Sequence, residues 1–339
     1  MGTRDGQDAR AATLGERIFR RLGDGGFASG QQLARDFGVT RSAVWKAVHA
    51  LGDAGVRIEA VPNRGYRLGD GVGALDAARI LAQLPEDVRA RVARCEVAWA
   101  LPSTNAALLA AGEEPSRGRA AVLLAEHQTA GRGRRGREWV APLGGAVCLS
   151  IAWTFAELPR DLAALSLVVG VCALRALSAH GLQGLELKWP NDVMAGGRKL
   201  GGILIEMRAE ASGPVVVVIG IGVNVALGAP ARSQVAAAGN TAIDVVELGG
   251  SADRNALVAG LVREVVGALP VFAAEGLTPF AAEWRQADAL RGRAVSVALG
   301  TDPQVGIARG IDAGGALLVE TPGGLQRFVA GEVSVRAQP

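Results

Sequence analysis

The chain has 339 residues, 49% hydrophobic and 20% charged, which supports globular cores and excludes wholesale disorder. At ~100–200 residues per domain, two or three domains fit. Thirty-six basic against 33 acidic residues leave a net charge of +3, so the chain is neither polybasic nor polyacidic overall, though a local basic patch fits within that sum.

Only Lys46, Lys188 and Lys199 are lysines, and the other 33 basic residues are arginines, a bias that suits a GC-rich coding sequence. The longest nearly apolar stretch, residues 162–174, is too short to span a bilayer and carries Ser166 and Gly170. The first twelve residues lack the apolar core of a signal peptide. Cys95, Cys148 and Cys172 form neither a disulfide framework nor a zinc knuckle, and His49, His127 and His180 have no ligand spacing. The expectation is a soluble, cytoplasmic protein with no caged metal and no membrane partner.

Residues 13–68 read as one compact unit. Thr13 to Glu16 is a capping box, followed by Ile18, Phe19 and Leu22 on one helical face. Ser29 to Gln32 is a second box, opening a helix with Leu33, Ala34 and Phe37 inward, and Gly38 ends it. Thr40 caps a third helix with Val44, Ala47, Val48 and Leu51 on one face. Two short helices joined at a glycine are a helix-turn-helix pattern, and VRIEAV, the turn at 62–65 and Tyr66-Arg-Leu68 add a two-stranded wing. The outward face of the third helix carries Arg41, Ser42, Trp45, Lys46 and His49, and the wing tip carries Asn63 and Arg64. Cationic and hydrogen-bonding groups on such a helix suit phosphate anchoring and base reading. A winged helix that binds protein instead remains open, because fold does not fix function.

After a Gly-rich joint at 69–76, residues 77–272 mix strands (95–100, 120–126, 146–153, 185–189, 202–206, 215–221) with helices (105–111, 161–180, 254–274). Several strands follow one another directly, so the class is α+β rather than doubly wound. Residues 287–339 hold short β runs with Gly turns, the spacing of a small closed barrel.

The stretch GRGRRGR (131–137), followed by Glu138 and Trp139, packs four arginines and three glycines into seven residues. Glycines let a backbone fold closely round an anion, and guanidinium groups offer paired donors to phosphate. Read alone, it is an anion-binding loop, a nucleic-acid loop or a disordered basic turn; its place after a strand favours a site. Ser103-Thr104-Asn105 opens a helix, where one such residue is an ordinary N-cap and three together also suit a polar head such as a urea, with Gln128 adding another amide. Lys188 ends a strand in KWPND, either as a surface lysine or as a compact charge in a site. Pro190 and Asn191 turn the chain and lift Asp192, either as an Asx-turn or as a Mg²⁺ or phosphate neighbour. Lys199 lies in a turn that runs into a buried strand containing Gly201 and Gly202, and Gly220 to Asn224 repeats that design.

Together PSTN (102–105), AEHQTAGRGRRGREW (125–139), KWPND (188–192), RKLGGILIE (198–206), GIGVN (220–224) and GEVSVR (331–336) resemble the bifunctional biotin–protein ligase and biotin-operon repressor family in order and spacing, over about residues 13–337. The resemblance implies three domains: a DNA-binding winged helix-turn-helix at 13–68, a mixed-sheet ligase domain of the class II aminoacyl-synthetase kind at 77–272, and a Src-homology-3-like barrel at 287–339. It implies that Ser103, Thr104, Asn105 and Gln128 meet the ureido end of biotin. Arg132, Gly133 and Arg134 would close over the biotin carboxylate and the ATP phosphates, with Lys188 neutralising the carboxylate and α-phosphate. Lys188, Arg132 and Arg134 are thus the catalytic candidates. Gly131, Arg137, Trp139, Asn191, Asp192, Gly202, Asn224 and Arg336 would line the nucleotide side, with Mg²⁺ brought by ATP and Asp192 beside it. The implied partners are the biotin carboxyl carrier domain of acetyl-CoA carboxylase, operator DNA and a second copy of the chain. One departure stands out: residues 226–248 contain no aromatic residue to stack on adenine, leaving Val235, Ile243 or Val246 for that packing. Two other readings remain: a biotin sensor without chemistry, and a lipoate–protein ligase.

Overall fold

The computed structural model describes residues 12–23, 25–69, 73–111, 115–155, 157, 159, 161–209, 215–299, 302–329 and 334–337. The first helices are α1 (Leu14–Gly23), α2 (Gly30–Phe37) and α3 (Arg41–Asp53). Each starts on a hydroxyl cap: Thr13, Ser29 and Thr40 accept from the backbone N–H three residues on, at 3.2, 3.1 and 3.1 Å. These bonds satisfy donors that a helix start otherwise leaves open. Ile18, Phe19, Leu22, Leu33, Val44, Val48 and Leu51 close one small core. The wing follows as β1 (Ile58–Val61) and β2 (Gly65–Leu68), antiparallel with Ile58 opposite Leu68.

The middle of the chain contains α4 (Ala77–Ala82), α5 (Glu86–Arg91), β3 (Val92–Leu101), α6 (Thr104–Ala110), β4 (Ala120–Gln128), β5 (Ala146–Phe155), α7 (Leu165–Ala179), β6 (Leu185–Lys188), β7 (Asp192–Ala195), β8 (Arg198–Ala209), β9 (Val215–Asn224), α8 (Ala229–Ala237), α9 (Arg254–Glu275) and α10 (Ala281–Gln286). Its seven strands form one mixed sheet in the order β3-β4-β5-β9-β8-β7-β6, parallel only between β3 and β4. All ten residues of β5 are buried, as a strand inside a covered sheet requires. The expected strands and helices are present with altered ends. The spacing missed β7, and Lys199 lies within β8; the turn sits at Gly196 and Gly197 (φ 55° and 73°).

Residues 162–174 understate the apolar length. Leu162–Ala179 and Arg254–Glu275 each have the length and composition to cross a membrane. Both are mostly buried: α7 packs on α9, β6 and β8, and α9 also packs on β5, so this apolarity is used in the core.

The chain closes with β10 (Ala294–Leu299), β11 (Asp302–Ile311), β12 (Leu317–Thr321), β13 (Gly324–Phe328) and β14 (Ser334–Ala337). They form an antiparallel sheet ordered β13-β12-β11-β10-β14. The spacing suggested a small β-barrel, and the described residues supply its antiparallel sheet, with no β13–β14 pairing among them. The class is α+β throughout.

Three contacts join the parts. Phe19 meets Trp99 of β3 edge-on at 5.5 Å, and Leu143 enters the winged-helix core. Trp189 Nε1 donates to Gly315 O at 3.0 Å, tying the turn after β6 to the loop before β12. Arg254, at the start of α9, pairs with Glu126 of β4 at 2.6 Å, with side chains 0% and 3% exposed. That pair holds the joint: Arg254 donates to Gly73 O at 2.7 Å, and Leu75 N donates to Glu126 at 2.6 Å.

Candidate functional site

Ser103, Thr104 and Asn105 meet where β3 gives way to α6, and all three are nearly buried. Ser103 is the N-cap, accepting from Ala106 N at 3.4 Å. Thr104 donates its N–H and hydroxyl to Gln128 Oε1, at 2.8 and 3.1 Å, so the end of β4 joins the cluster as expected. Two members went unnoticed in the sequence. Ser150, fully buried on β5, lies 2.7 Å from Thr104 Oγ1 and 2.5 Å from Asn105 Oδ1. Glu206 of β8 accepts from Asn105 Nδ2 at 2.9 Å. A buried serine in an apolar run and a carboxylate at the end of GGILIE were the available signals. Gly220 is bare because a Cβ there would stand 2.5 Å from Asn105 Oδ1.

The Arg/Gly segment is a closed loop. Trp139 N donates to Gly131 O at 2.9 Å, and Gly133 N to Arg137 O at 2.7 Å, with Arg132 bridged to Glu138. Arg135 at its tip has φ 58°. Arg132 reaches back to Glu206, and Arg134 approaches Asn191 Oδ1 at 3.4 Å. Burial lowers the Arg134 pKa and Asp192 opposes the shift, while Arg135 and Arg137 add to it. A half-buried cation among like charges is stabilised by an incoming anion. Arg137 is exposed on the outer limb.

Trp139 lies on the sheet where Gly222 leaves room, since a Cβ at Gly222 would stand 2.5 Å from the indole. Gly202 faces the same ring, and Lys199 Nζ sits 5.7 Å from its centroid. The indole Nε1 is buried and has no hydrogen-bond partner among the described groups. Lys188, half-buried at the end of β6, stands opposite Asp192 across the hairpin. Lys199 holds Asp192 at 2.5 Å. Asn191 donates to Ile203 O at 2.8 Å, which pins the turn to β8. Asn224 donates to Lys199 O and Ile243 O, at 3.2 and 3.1 Å, so its amide N–H groups clamp the backbone.

Of the residues considered for adenine packing, Ile243 is a core residue and Val246 packs on the same core, which removes Ile243 from that role. Trp139 is an aromatic side chain that lies against Gly202 and Gly222 of the sheet. Arg336 is in β14 opposite Ser296, and its side chain lies outside the described part. Among the described residues no three His, Cys, Asp or Glu side chains gather to hold a metal.

On the winged helix, Arg41, Ser42, Trp45, Lys46 and His49 all face solvent. Trp45 is 52% exposed and stacks on His49 at 3.8 Å. Arg64 is exposed on the wing, with its guanidinium 4.1 Å over Phe27.

Residues 100–224 match the Biotin/lipoate A/B protein ligase family, residues 16–67 an HTH domain, and residues 291–336 the Biotin protein ligase C terminal domain. The chain is 37% identical over 325 residues to the bifunctional ligase/repressor BirA of Escherichia coli K12, covering 96% of this chain and 98% of that one. It is also 37% identical over 244 residues to the biotin–[acetyl-CoA-carboxylase] ligase of Mycobacterium tuberculosis, covering 68% and 85%. Among solved structures, the Aquifex aeolicus biotin protein ligase in complex with biotin and ATP is similar, with a TM-score of 0.60 and 25% identity over 73% of this chain and 100% of that one.

Proposed function

The chain belongs to the bifunctional biotin–protein ligase/repressor family, and from that premise we propose that it activates biotin with ATP, transfers it to a carrier lysine and represses biotin genes. The observation that carries the ligase half is the junction of two pieces. The Arg/Gly loop closes on the sheet beside buried Ser103, Thr104 and Asn105 and half-buried Gln128, and Arg132 bonds Glu206 of that cluster.

The cluster offers mixed donors and acceptors to the cyclic urea of biotin. The carboxylate then points towards Lys188, Arg132, Gly133 and Arg134. It attacks the α-phosphate of ATP, giving biotinyl-5′-AMP and pyrophosphate. Both reactants are anions, so the work of the protein is to hold cations where their charges meet. No protein nucleophile is required. A lysine of the carrier domain then attacks the mixed anhydride, and AMP leaves.

Gly131, Arg137, Trp139, Asn191, Asp192, Gly202 and Asn224, with Arg336 from β14, line the nucleotide side in this reading. Mg²⁺ commonly reaches such sites on phosphate oxygens with one or two carboxylates, and Asp192 is the carboxylate at the turn. The ion screens phosphate charge. Residues 13–68 serve as the operator-binding domain, 77–272 as the ligase and 287–339 as the terminal domain. Biotinyl-AMP favours a homodimer that spans two half-sites, and the protein works in the cytoplasm.

Incubation with biotin, ATP, Mg²⁺ and a biotin carboxyl carrier domain tests the reading by mass. The expected result is one biotin added to one carrier lysine, with AMP formed only when biotin is present. Lipoate attached in place of biotin overturns the substrate, and no biotin-dependent AMP overturns the enzyme.

A further inference from the structure

Glu206 joins the two halves of the site. One carboxylate oxygen accepts from Arg132 of the Arg/Gly loop, and the other accepts from Asn105 Nδ2 at 2.9 Å. Asn105 Nδ2 also donates to Leu204 O at 3.2 Å, so both amide hydrogens are used. Ser150 Oγ stands 2.5 Å from Asn105 Oδ1, and only the hydroxyl can donate in that pair. A carboxylate is acceptor-only when ionised, so it dictates which way the Asn105 amide faces. Asn105 is left with acceptor capacity on Oδ1 and no donor.

Building on the ligase reading, we propose that Glu206 is a positioning residue for biotin. It fixes Asn105 as an acceptor for a ureido N–H, and it latches Arg132 so that the Arg/Gly loop stays docked before substrate arrives. Without the carboxylate, Leu204 O and Ser150 alone hold the Asn105 amide, and a turned amide that sets its NH₂ against the ureido N–H becomes more populated. The loop then loses its ion pair to β8 and keeps the contacts of Trp139 with Gly202 and Lys199. When the carboxylate of biotin enters, Arg132 gains a second anion to choose between, so binding and loop closure share one residue.

The test uses the full chain with Glu206→Gln, close in shape, and Glu206→Ala. Biotin-dependent ATP–pyrophosphate exchange is measured across biotin and ATP concentrations. Trypsin cleavage within residues 131–139 is timed without substrates. We expect the KM for biotin to rise at least tenfold in both variants, with the KM for ATP and kcat within about twofold of the parent. Loop cleavage should quicken at least fivefold. Adding Asn105→Ala to Glu206→Ala should raise the KM for biotin by less than the two single effects combined, because the Asn105 route is shared and only the Arg132 latch is separate. Unchanged KM for biotin and unchanged cleavage in an active parent background overturn the proposal. A uniform fall in kcat and thermal stability with no selective biotin effect also overturns it, by making Glu206 merely structural. An inactive parent chain overturns the ligase reading itself, which separates the two failures.

Discussion

At the scale of single residues, charge and bare backbone do different jobs. Lys188 is one of three lysines in an arginine-rich chain, half-buried where β6 meets the KWPND turn. Lys188→Ala should leave the fold intact and cost roughly 3–4 kcal/mol, or about 10²–10³ in adenylation rate, as for other groups that stabilise developing charge. Biotin-dependent exchange in a protein with parental circular dichroism checks this, and near-normal exchange removes Lys188 from the site. Gly222 acts by absence. A Cβ would stand 2.5 Å from the Trp139 indole, so Gly222→Ala must displace that ring. Overpacking of this kind costs roughly 1–3 kcal/mol. Titration calorimetry should show weaker ATP binding, with biotin binding retained. Motif residues were legible because several rare residue types stood together. Ser150 and Glu206 were not, since a strand pattern gives the face of a residue and not its partner across the sheet. The nucleotide role expected of Asn224 has to accommodate bonds to Lys199 O of β8 and to Ile243 O, which only the folded chain brings together.

At the scale of elements, helices and caps were readable and junctions were not. Three hydroxyl caps announced α1, α2 and α3 because a cap is local chemistry. The four-residue β7 escaped because so short a run shows little alternation. The Arg254–Glu126 pair escaped for another reason: 128 positions apart, it shows only in three dimensions. Both side chains are essentially dry, and together they hold the backbone of the joint at Gly73 and Leu75. Removing one partner of a buried pair strands the other charge, at a cost of about 3–5 kcal/mol. Arg254→Ala should therefore lower the denaturant midpoint of the ligase part strongly. Glu126→Gln with Arg254→Met should recover much of the loss, because neither side is then left charged. A small effect of Arg254→Ala on that midpoint refutes the clasp.

At the scale of the whole molecule, the winged helix sits on the ligase sheet through Phe19, Trp99 and Leu143, while its recognition face stays clear. Arg41, Ser42, Trp45 and Lys46 point to solvent on α3, and Arg64 holds its guanidinium 4.1 Å over Phe27 at the wing. An arginine stacked on a ring is held extended, which suits a phosphate contact more than a search for base edges. Arg64→Ala should accordingly weaken binding to all DNA sequences alike and make the salt dependence shallower by about 0.9 log unit per tenfold salt for the lost contact. Arg41→Ala or Lys46→Ala should instead change sequence preference if these residues reach bases in the major groove. Deletion of residues 1–68 should abolish binding and, by uncovering Trp99 and Leu143, lower ligase stability. Biotin with ATP should tighten operator binding, because an adenylate that favours the proposed dimer presents two recognition helices at once. Fluorescence anisotropy on the chain's own promoter region, across salt and with or without biotin and ATP, measures all of these. Salt-insensitive binding with no promoter preference would leave the ligase standing and refute the repressor.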